Sequence, residues 1–181
     1  MRRYFISDKY NIALLNIPKC GMTSLCKALE INMQLDWVPL GGLHAWDFKN
    51  ETGPHHKDRL INKKKIAVLR NPTERILSGW QECLRRGTSK AKTFDDFVLQ
   101  IKDQGFFDEH IEPMCKYWDI VDEVINFENI SERFAGIETL NKSEEYSKAM
   151  TNTTQMLLYQ IYKQDYELYK RYIKTNKHGK R

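Results

Sequence analysis

Two stretches of the chain share one pattern, in which a short apolar segment is followed by a polar loop and then by apolar residues at helical spacing. Tyr10 to Ile17 (YNIALLNI) is nearly continuous in apolar residues, as a strand buried on both faces would be. After the loop, Leu25, Ala28 and Leu29 share one helix face. This order predicts a strand, a loop and a helix that starts near Thr23.

The second stretch, KKKIAVLRNPTERILSGWQECLRR, has the same order. Ile66 to Leu69 predicts another buried strand. Asn71 can cap a helix whose first residue is Pro72 and whose third is Glu74. One face of that helix is apolar, with Ile76, Leu77, Trp80 and Leu84.

Two further segments complete the predicted elements. Glu123 to Phe127 predicts a third strand, followed by a short helix within ENISERF. Residues 153–173 have apolar and aromatic side chains at helical intervals and predict one long amphipathic helix. Strands that alternate with helices indicate an α/β fold, with a P-loop-like parallel sheet flanked by helices.

Composition limits the possible classes of protein. The 181 residues, 41% of them hydrophobic, can form one ordinary core, and no Pro/Gly/Ser-rich linker divides them, so residues 1–181 are predicted to be a single domain. No apolar run approaches the roughly 20 residues that span a bilayer, and the N-terminus does not have the pattern of a signal peptide. No CxxC pair occurs among the four cysteines, so we expect free thiols and a cytoplasmic location.

The net charge of +5 comes mainly from the two ends of the chain. Arg2 and Arg3 lie at one end, and the basic segment 174–181 (KTNKHGKR) lies at the other, where we expect a solvated or disordered tail. The rest of the chain is close to neutral. A basic stripe for nucleic acid is therefore poorly supported.

The first loop, PKCGMTSL, has the composition of an anion site. It follows a strand end, where helix N-termini present unpaired N–H groups, and Gly21 permits a backbone with positive φ. It is not a Walker A loop, because its lysine precedes the glycine. A lysine in that place would flank a bond between two oxyanions whose bridging oxygen gains charge. The candidate ligand-binding residues of this loop are Lys19, Cys20, Gly21, Met22, Thr23 and Ser24.

The second loop, RNPTERILSGW, offers a site for a terminal phosphate. Arg70 lies at a strand end and Ser78 lies two turns into the predicted helix. A guanidinium fork and a hydroxyl can bind the same phosphate.

Together these loops resemble those of the sulfotransferases. IPKCGMTSL looks like their 5'-phosphosulfate-binding loop, and VLRNPTERILSGW looks like their 3'-phosphate-binding segment, R-x-P-x-x-R-x-x-S. The segments HAWDF, EHIEPMCKYWDIVDEVINFENI and IYKQDYELY resemble successive parts of the carbohydrate sulfotransferase branch. The likeness covers most of the chain, although 41–62 matches only loosely.

The resemblance implies a donor, an acceptor and a set of roles. The donor would be 3'-phosphoadenosine 5'-phosphosulfate (PAPS), whose sulfuryl group moves to a hydroxyl of an acceptor, expected to be a glycan or glycoconjugate. Lys19 would stabilise the bridging oxygen, and Gly21, Thr23 and Ser24 would bind the 5'-phosphate. Arg70 and Ser78 would bind the 3'-phosphate.

The general base is expected to be a histidine, because imidazole accepts a proton near neutral pH. His44 lies between the two loops in the sequence and resembles a family histidine before the second strand, whereas His110 resembles one near the acceptor. We therefore rank His44 above His110. The remaining histidines, His55, His56 and His178, lie in polar segments. No paired Cys/His spacing predicts a metal site.

Two other functions are compatible with parts of the pattern. A nucleotide kinase or other P-loop phosphotransferase would also have a phosphate loop after a strand, although G-K-[ST] is missing. A non-catalytic polyanion-binding module could use the basic ends of the chain.

Overall fold

A five-stranded sheet forms the centre of the computed structural model, which describes residues 3–34, 36–39, 57–134 and 150–176. The order of the strands across the sheet is β3-β1-β2-β4-β5. Their bounds are β1 Arg3–Ser7, β2 Ile12–Leu15, β3 Trp37–Pro39, β4 Lys64–Leu69 and β5 Glu123–Asn126.

The three predicted strands form the parallel half of this sheet. Leu14 of β2 is opposite Ile66 of β4, and Ala67 of β4 is opposite Val124 of β5, in parallel register. The carboxyl ends of β2, β4 and β5 therefore meet at one edge of the sheet, and the loops that follow them are brought together there. The predicted α/β fold is confirmed.

The other half of the sheet is antiparallel and was not predicted. β1 pairs with β2 through a short turn that includes Asn11 at φ +54°, and β3 pairs with β1 on the outer side. Tyr4, Phe5 and Ile6 of β1 are buried, so this strand has the short apolar run of a core strand. The sheet is consequently mixed rather than wholly parallel.

The described residues include six α-helices. They are α1 Met22–Ala28, α2 Pro72–Arg86, α3 Phe94–Gln104, α4 Ile130–Arg133, α5 Asn152–Ile161 and α6 Lys163–Asn176. Short 3-10 turns cover Lys57–Leu60, Glu109–Ile111, Met114–Tyr117 and Phe127–Asn129. None of the helices in the described ranges is long and apolar enough to cross a membrane.

The start of α2 agrees with its sequence signals. The side chain of Asn71 accepts a hydrogen bond of 2.9 Å from the N–H of Thr73, and Pro72 is the first helical residue. The first N–H groups of a helix have no partner within it. Asn71 supplies an acceptor for one of them, and Pro72 has no N–H group that would need one. The helix ends at Arg86 and is capped by Gly87, which has φ +74°.

The prediction of one long C-terminal helix is wrong, because the chain forms α5 and α6 with Tyr162 between them. Tyr162 has φ −109° and ψ 27°, and its buried hydroxyl donates a 2.6 Å hydrogen bond to the carbonyl of Ile111. Helical spacing of apolar residues persists across such a bend, so the pattern alone did not reveal it. Helix α3 was also missed, although Thr93 caps it by accepting from the N–H of Asp96.

Two apolar clusters support the site edge of the sheet. One consists of the strands with α1 and includes Leu14, Leu25 and Val68. The other lies between α2, α3 and α5 and includes Trp80 and Phe97. Because α1 and α2 each pack into a core, the loops at their N-termini have fixed positions relative to the sheet.

Candidate functional site

A cavity of about 330 Å³ opens where the loops after β2 and β4 meet. The two predicted loops, which are distant in the sequence, contribute to the same walls. The lining residues are Asn16, Pro18, Lys19, Gly21, Met22, Thr23, Ser24, Met33, Arg70, Ser78, Glu82, Arg85, Glu109, His110 and Phe127. All the candidate residues from the two loops except Cys20 are in this set.

The loop after β2 turns through two residues in the left-handed region. Lys19 has φ +66° and Gly21 has φ +79°. A Cβ atom added to Gly21 would lie 2.9 Å from Cε2 of Phe127, so both the conformation and the available space require glycine. The chain enters α1 directly afterwards, and the first N–H groups of a helix have no intrahelical acceptor. The backbone N–H groups of Met22, Thr23 and Ser24 therefore lie at the N-terminus of α1, where they have no acceptor within the helix.

Cys20 differs from the other loop residues. Its side chain is fully buried, with Sγ 3.9 Å from Sδ of Met114, and burial raises the pKa of its thiol to about 11. Its N–H donates to the carbonyl of Ile17 at 3.3 Å. The structure thus places Cys20 beneath the loop, in the core.

Arg70 joins the two loops. Its side chain is buried, and Nη1 donates to the carbonyl of Lys19 at 3.4 Å. Its guanidinium carbon lies 4.4 Å from the ring centre of Phe127, which follows the end of β5. Ser78, also buried, lines the cavity from α2. Sequence reasoning missed Phe127, although its place directly after the third parallel strand was a usable signal.

Lys19 forms an ion pair with a residue that was also missed. Its Nζ lies 3.7 Å from Oε2 of Glu82, which is one helical turn beyond Ser78 on α2. Burial lowers the pKa of Lys19, and the charge of Glu82 opposes that decrease. The spacing of Ser78 and Glu82 places both on one face of the helix, which was the available signal.

His110 lines the cavity and pairs with a carboxylate. Its Nδ1 lies 2.7 Å from Oδ1 of Asp108, whose other oxygen accepts a 3.0 Å hydrogen bond from Thr88. Burial raises the pKa of Asp108, but hydrogen bonds from the backbone and ring of His110 and from Thr88 outweigh it, so that pKa lies below its ordinary value. An ionised carboxylate only accepts hydrogen bonds, so Nδ1 of a neutral His110 carries the proton and Nε2 has a lone pair.

Arg86 lies beside this pair, with Nη1 3.1 Å from Nδ1 of His110 and 3.7 Å from Oδ2 of Asp108. The contact between His110 and Asp108 is the shorter one, and we assign the position of the proton from it. The cation next to Asp108 favours the ionised carboxylate.

His44, the other predicted base, lies outside the described residues. The histidines of the polar segments, His55, His56 and His178, lie outside them as well. The ranking of His44 above His110 therefore stays a prediction. Among the described residues, no group of three or more His, Cys, Asp or Glu side chains is placed to hold a metal ion.

Comparison with protein families identifies the family of the chain. The model of the sulfotransferase family matches residues 2–119, about two thirds of the chain, including both loops and His110. The chain belongs to the sulfotransferase family. Comparison with curated proteins and with solved structures found no match.

Members of the sulfotransferase family are PAPS-dependent enzymes, and the prediction of an enzyme of this type is confirmed. The match does not resolve the branch within the family. The matched segment ends before β5, so Phe127 and the two C-terminal helices lie beyond it.

The second arginine of the R-x-P-x-x-R-x-x-S segment has a structural place in this sulfotransferase. Arg75 is fully buried, and Nη2 donates a 2.6 Å hydrogen bond to the carbonyl of Glu112. The same nitrogen lies 3.6 Å from Oδ2 of Asp165, whose carboxylate also accepts from the N–H groups of Met114 and Cys115. Arg75 thus joins α2 to α6 and to the segment that follows His110.

Proposed function

We propose that this sulfotransferase moves the sulfuryl group of PAPS to a hydroxyl of a carbohydrate acceptor. One observation carries the proposal: the lysine and glycine loop and the arginine and serine segment line a single cavity. An anionic donor with phosphates at two positions fits two anion-binding elements at one sheet edge.

Each element then has a distinct part in holding the donor. Gly21, Thr23 and Ser24 bind the 5'-phosphate through the start of α1, and Arg70 with Ser78 binds the 3'-phosphate. Lys19 stabilises the charge that develops on the bridging oxygen as the sulfuryl group leaves. Such stabilisation acts on the transition state more than on the bound ground state.

The acceptor hydroxyl must lose its proton during the transfer. His110 is supported as the base by its place in the cavity wall and by Asp108, which leaves Nε2 as the proton acceptor. His44 is the other candidate, on the strength of its place in the sequence. After transfer, the proton resides on the imidazole and is later released to water.

The test is calorimetric titration of the protein with adenosine 3',5'-bisphosphate and, separately, with AMP. The nucleotide with the 3'-phosphate should bind more tightly. Arg70→Ala should weaken it by about 1.5–3 kcal/mol, the range for a hydrogen bond to a charged group, and should barely affect AMP. Arg133→Ala, which removes an arginine from outside the cavity, is the matched control.

Other results would point elsewhere. Equal losses for both nucleotides in Arg70→Ala would contradict the 3'-phosphate assignment. Preference for AMP or ATP would favour a phosphotransferase, and polyanion binding that disappears when both ends are trimmed would favour a binding module.

The carbohydrate acceptor and the cytoplasmic location are proposals of the same kind. The first is supported by the sequence segments that resemble carbohydrate sulfotransferases. The second is supported by the four cysteines, all of which have free thiols. Transfer from labelled PAPS to a panel of glycans and of small alcohols would test the first.

A further inference from the structure

Glu82 is a carboxylate in the wall of the cavity that we propose for an anionic donor, and it lies next to Lys19. Its side chain is 17% exposed, and its Oε2 faces Nζ of Lys19 at 3.7 Å. The same oxygen accepts a 3.2 Å hydrogen bond from Nε of Arg85, and its other oxygen pairs with Nη2 of Arg85. A carboxylate in this place repels an anionic donor, and its ion pair with Lys19 is the reason we infer for its presence.

We propose that Glu82 is a positioning residue for Lys19, whose ammonium group it holds in the cavity by an ion pair until the bridging oxygen of the donor takes the place of Glu82. The role in transfer rests on the proposed function, whereas the ion pair is present in the donor-free protein. Nothing in the family match assigns this role.

The charges around Lys19 explain why it needs such a partner. Its side chain is largely buried, which penalises the charged form, and the guanidinium groups of Arg70 and Arg85 add repulsion. Glu82 is the group that acts in the opposite direction. The ion pair therefore favours the charged form of Lys19, which is the form that stabilises a developing negative charge.

The lengths of the contacts allow Lys19 to change partner. At 3.7 Å, its contact with Glu82 is longer than a hydrogen bond and is held by charge alone. Glu82 is bound more closely to Arg85, so it remains paired when Lys19 turns to the donor. No buried charge is left uncompensated at either stage.

Glu82 is poorly suited to be the general base itself. Hydrogen bonding from Arg85 lowers its pKa, and although burial acts in the opposite direction, the charges of Lys19, Arg85 and His110 lower it further. A carboxylate with a lowered pKa has little tendency to take the proton of a hydroxyl.

The first test measures the pKa of Lys19 directly, without a donor. In protein with isotope-labelled lysine, the side-chain resonance of Lys19 is identified by its absence from Lys19→Arg and is followed with pH. Glu82→Gln should lower this pKa relative to wild type. Glu30→Gln, which removes the same charge from an exposed pair with Lys9, should leave it unchanged.

The second test measures turnover against pH. Because Lys19 acts in its charged form below its pKa, lowering that pKa in Glu82→Gln should move the alkaline limb of kcat to lower pH. The maximum of kcat should fall about tenfold, less than the 10²–10³-fold loss expected when Lys19 itself is removed. Affinity for adenosine 3',5'-bisphosphate should be unchanged or increased, because a negative charge has left the site. Glu82→Asp keeps the charge and should restore much of the turnover.

The outcomes separate this proposal from the proposed function. An unchanged pKa of Lys19 in Glu82→Gln would overturn it, whatever happens to turnover. A parallel loss of nucleotide affinity and turnover with an unshifted alkaline limb would also overturn it, because that describes a structural role. If the wild-type protein binds no adenosine 3',5'-bisphosphate, the proposed function fails. The first test still shows whether Glu82 and Lys19 interact as an ion pair, because it uses no donor.

Discussion

Gly21 connects the donor loop to the rest of the cavity. It has φ +79°, and a Cβ atom there would contact Phe127, whose ring is 4.4 Å from the guanidinium carbon of Arg70. A side chain at this position would therefore disturb both anion-binding elements together. The glycine is needed for its conformation and for its lack of volume.

We expect Gly21→Ala to reduce both stability and nucleotide binding. The left-handed conformation costs a non-glycine residue about 1–3 kcal/mol, and displacement of Phe127 should weaken binding of adenosine 3',5'-bisphosphate. Gly87→Ala is the control, since Gly87 has φ +74° with no atom within 4 Å of the added Cβ. Urea unfolding and calorimetry should show a loss of stability in both variants but a loss of affinity only in Gly21→Ala. Equal affinities would contradict the role of Phe127.

The pair of His110 and Asp108 gives a second prediction at this scale. If His110 is the base, His110→Ala should reduce single-turnover transfer by about 10²–10⁴ at saturating PAPS, with nucleotide affinity intact. Asp108→Asn should also slow transfer, because the neutral amide removes the negative charge that stabilises the imidazole of His110 once it has taken the proton. The same assay on His44→Ala tests the ranking made from sequence. A collapse in that variant, beside near-normal transfer in His110→Ala, would make His44 the base.

Among the secondary-structure elements, α2 connects the cavity to the core. Arg70, between the end of β4 and the start of α2, contacts the first loop, and the cavity-facing side of α2 carries Ser78 and Glu82. The opposite side inserts Ile76 and Trp80 into the core. The same helix thus packs against the core on one side and contributes polar side chains to the cavity on the other, so its orientation sets the geometry of the site.

The cap of α2 can be tested by Asn71→Ala. The side chain of Asn71 accepts from the N–H of Thr73 at 2.9 Å, and its loss should destabilise the protein by about 0.5–2 kcal/mol. Asn71→Asp, which preserves the acceptor, should retain most of the stability. Chemical denaturation measures both variants, and an equal loss in the two would mean that the cap contributes little.

Across the whole molecule, the buried pair of Arg75 and Asp165 joins the two halves of the chain. Both side chains are fully buried, and the carboxylate also accepts from the N–H groups of Met114 and Cys115. Through these contacts α6, which lies beyond the matched family segment, supports the segment that carries His110. The C-terminal helix is therefore part of the structural support of the site.

Removing one member of this pair should strongly destabilise the protein. Asp165→Ala leaves the guanidinium of Arg75 buried without its counter-ion, a change that typically costs about 3–5 kcal/mol. Glu167→Ala, on the exposed side of the same helix, should change the free energy of unfolding by less than about 0.5 kcal/mol. A loss below about 1 kcal/mol for Asp165→Ala, measured by urea unfolding, would show that the pair is dispensable.

Sequence alone determined the features that depend on neighbouring residues. The strand, loop and helix around Gly21, the cap at Asn71 and the spacing of Arg70 and Ser78 are local, because turn conformation, capping and helical periodicity act over a few positions. The resemblance to sulfotransferases followed from the same segments. The signals of β1 and α3 were local as well and were overlooked.

Only the tertiary structure decided which of these residues meet. The partnership of Lys19 with Glu82, the ring of Phe127 over Arg70 and the buried ion pair of Arg75 with Asp165 join distant segments of the chain. Such contacts depend on the parallel register of β2, β4 and β5 and on the rotation of α2 about its axis. Both are set by packing of the whole core, because a helix turns its largest apolar face inward and its other side chains follow.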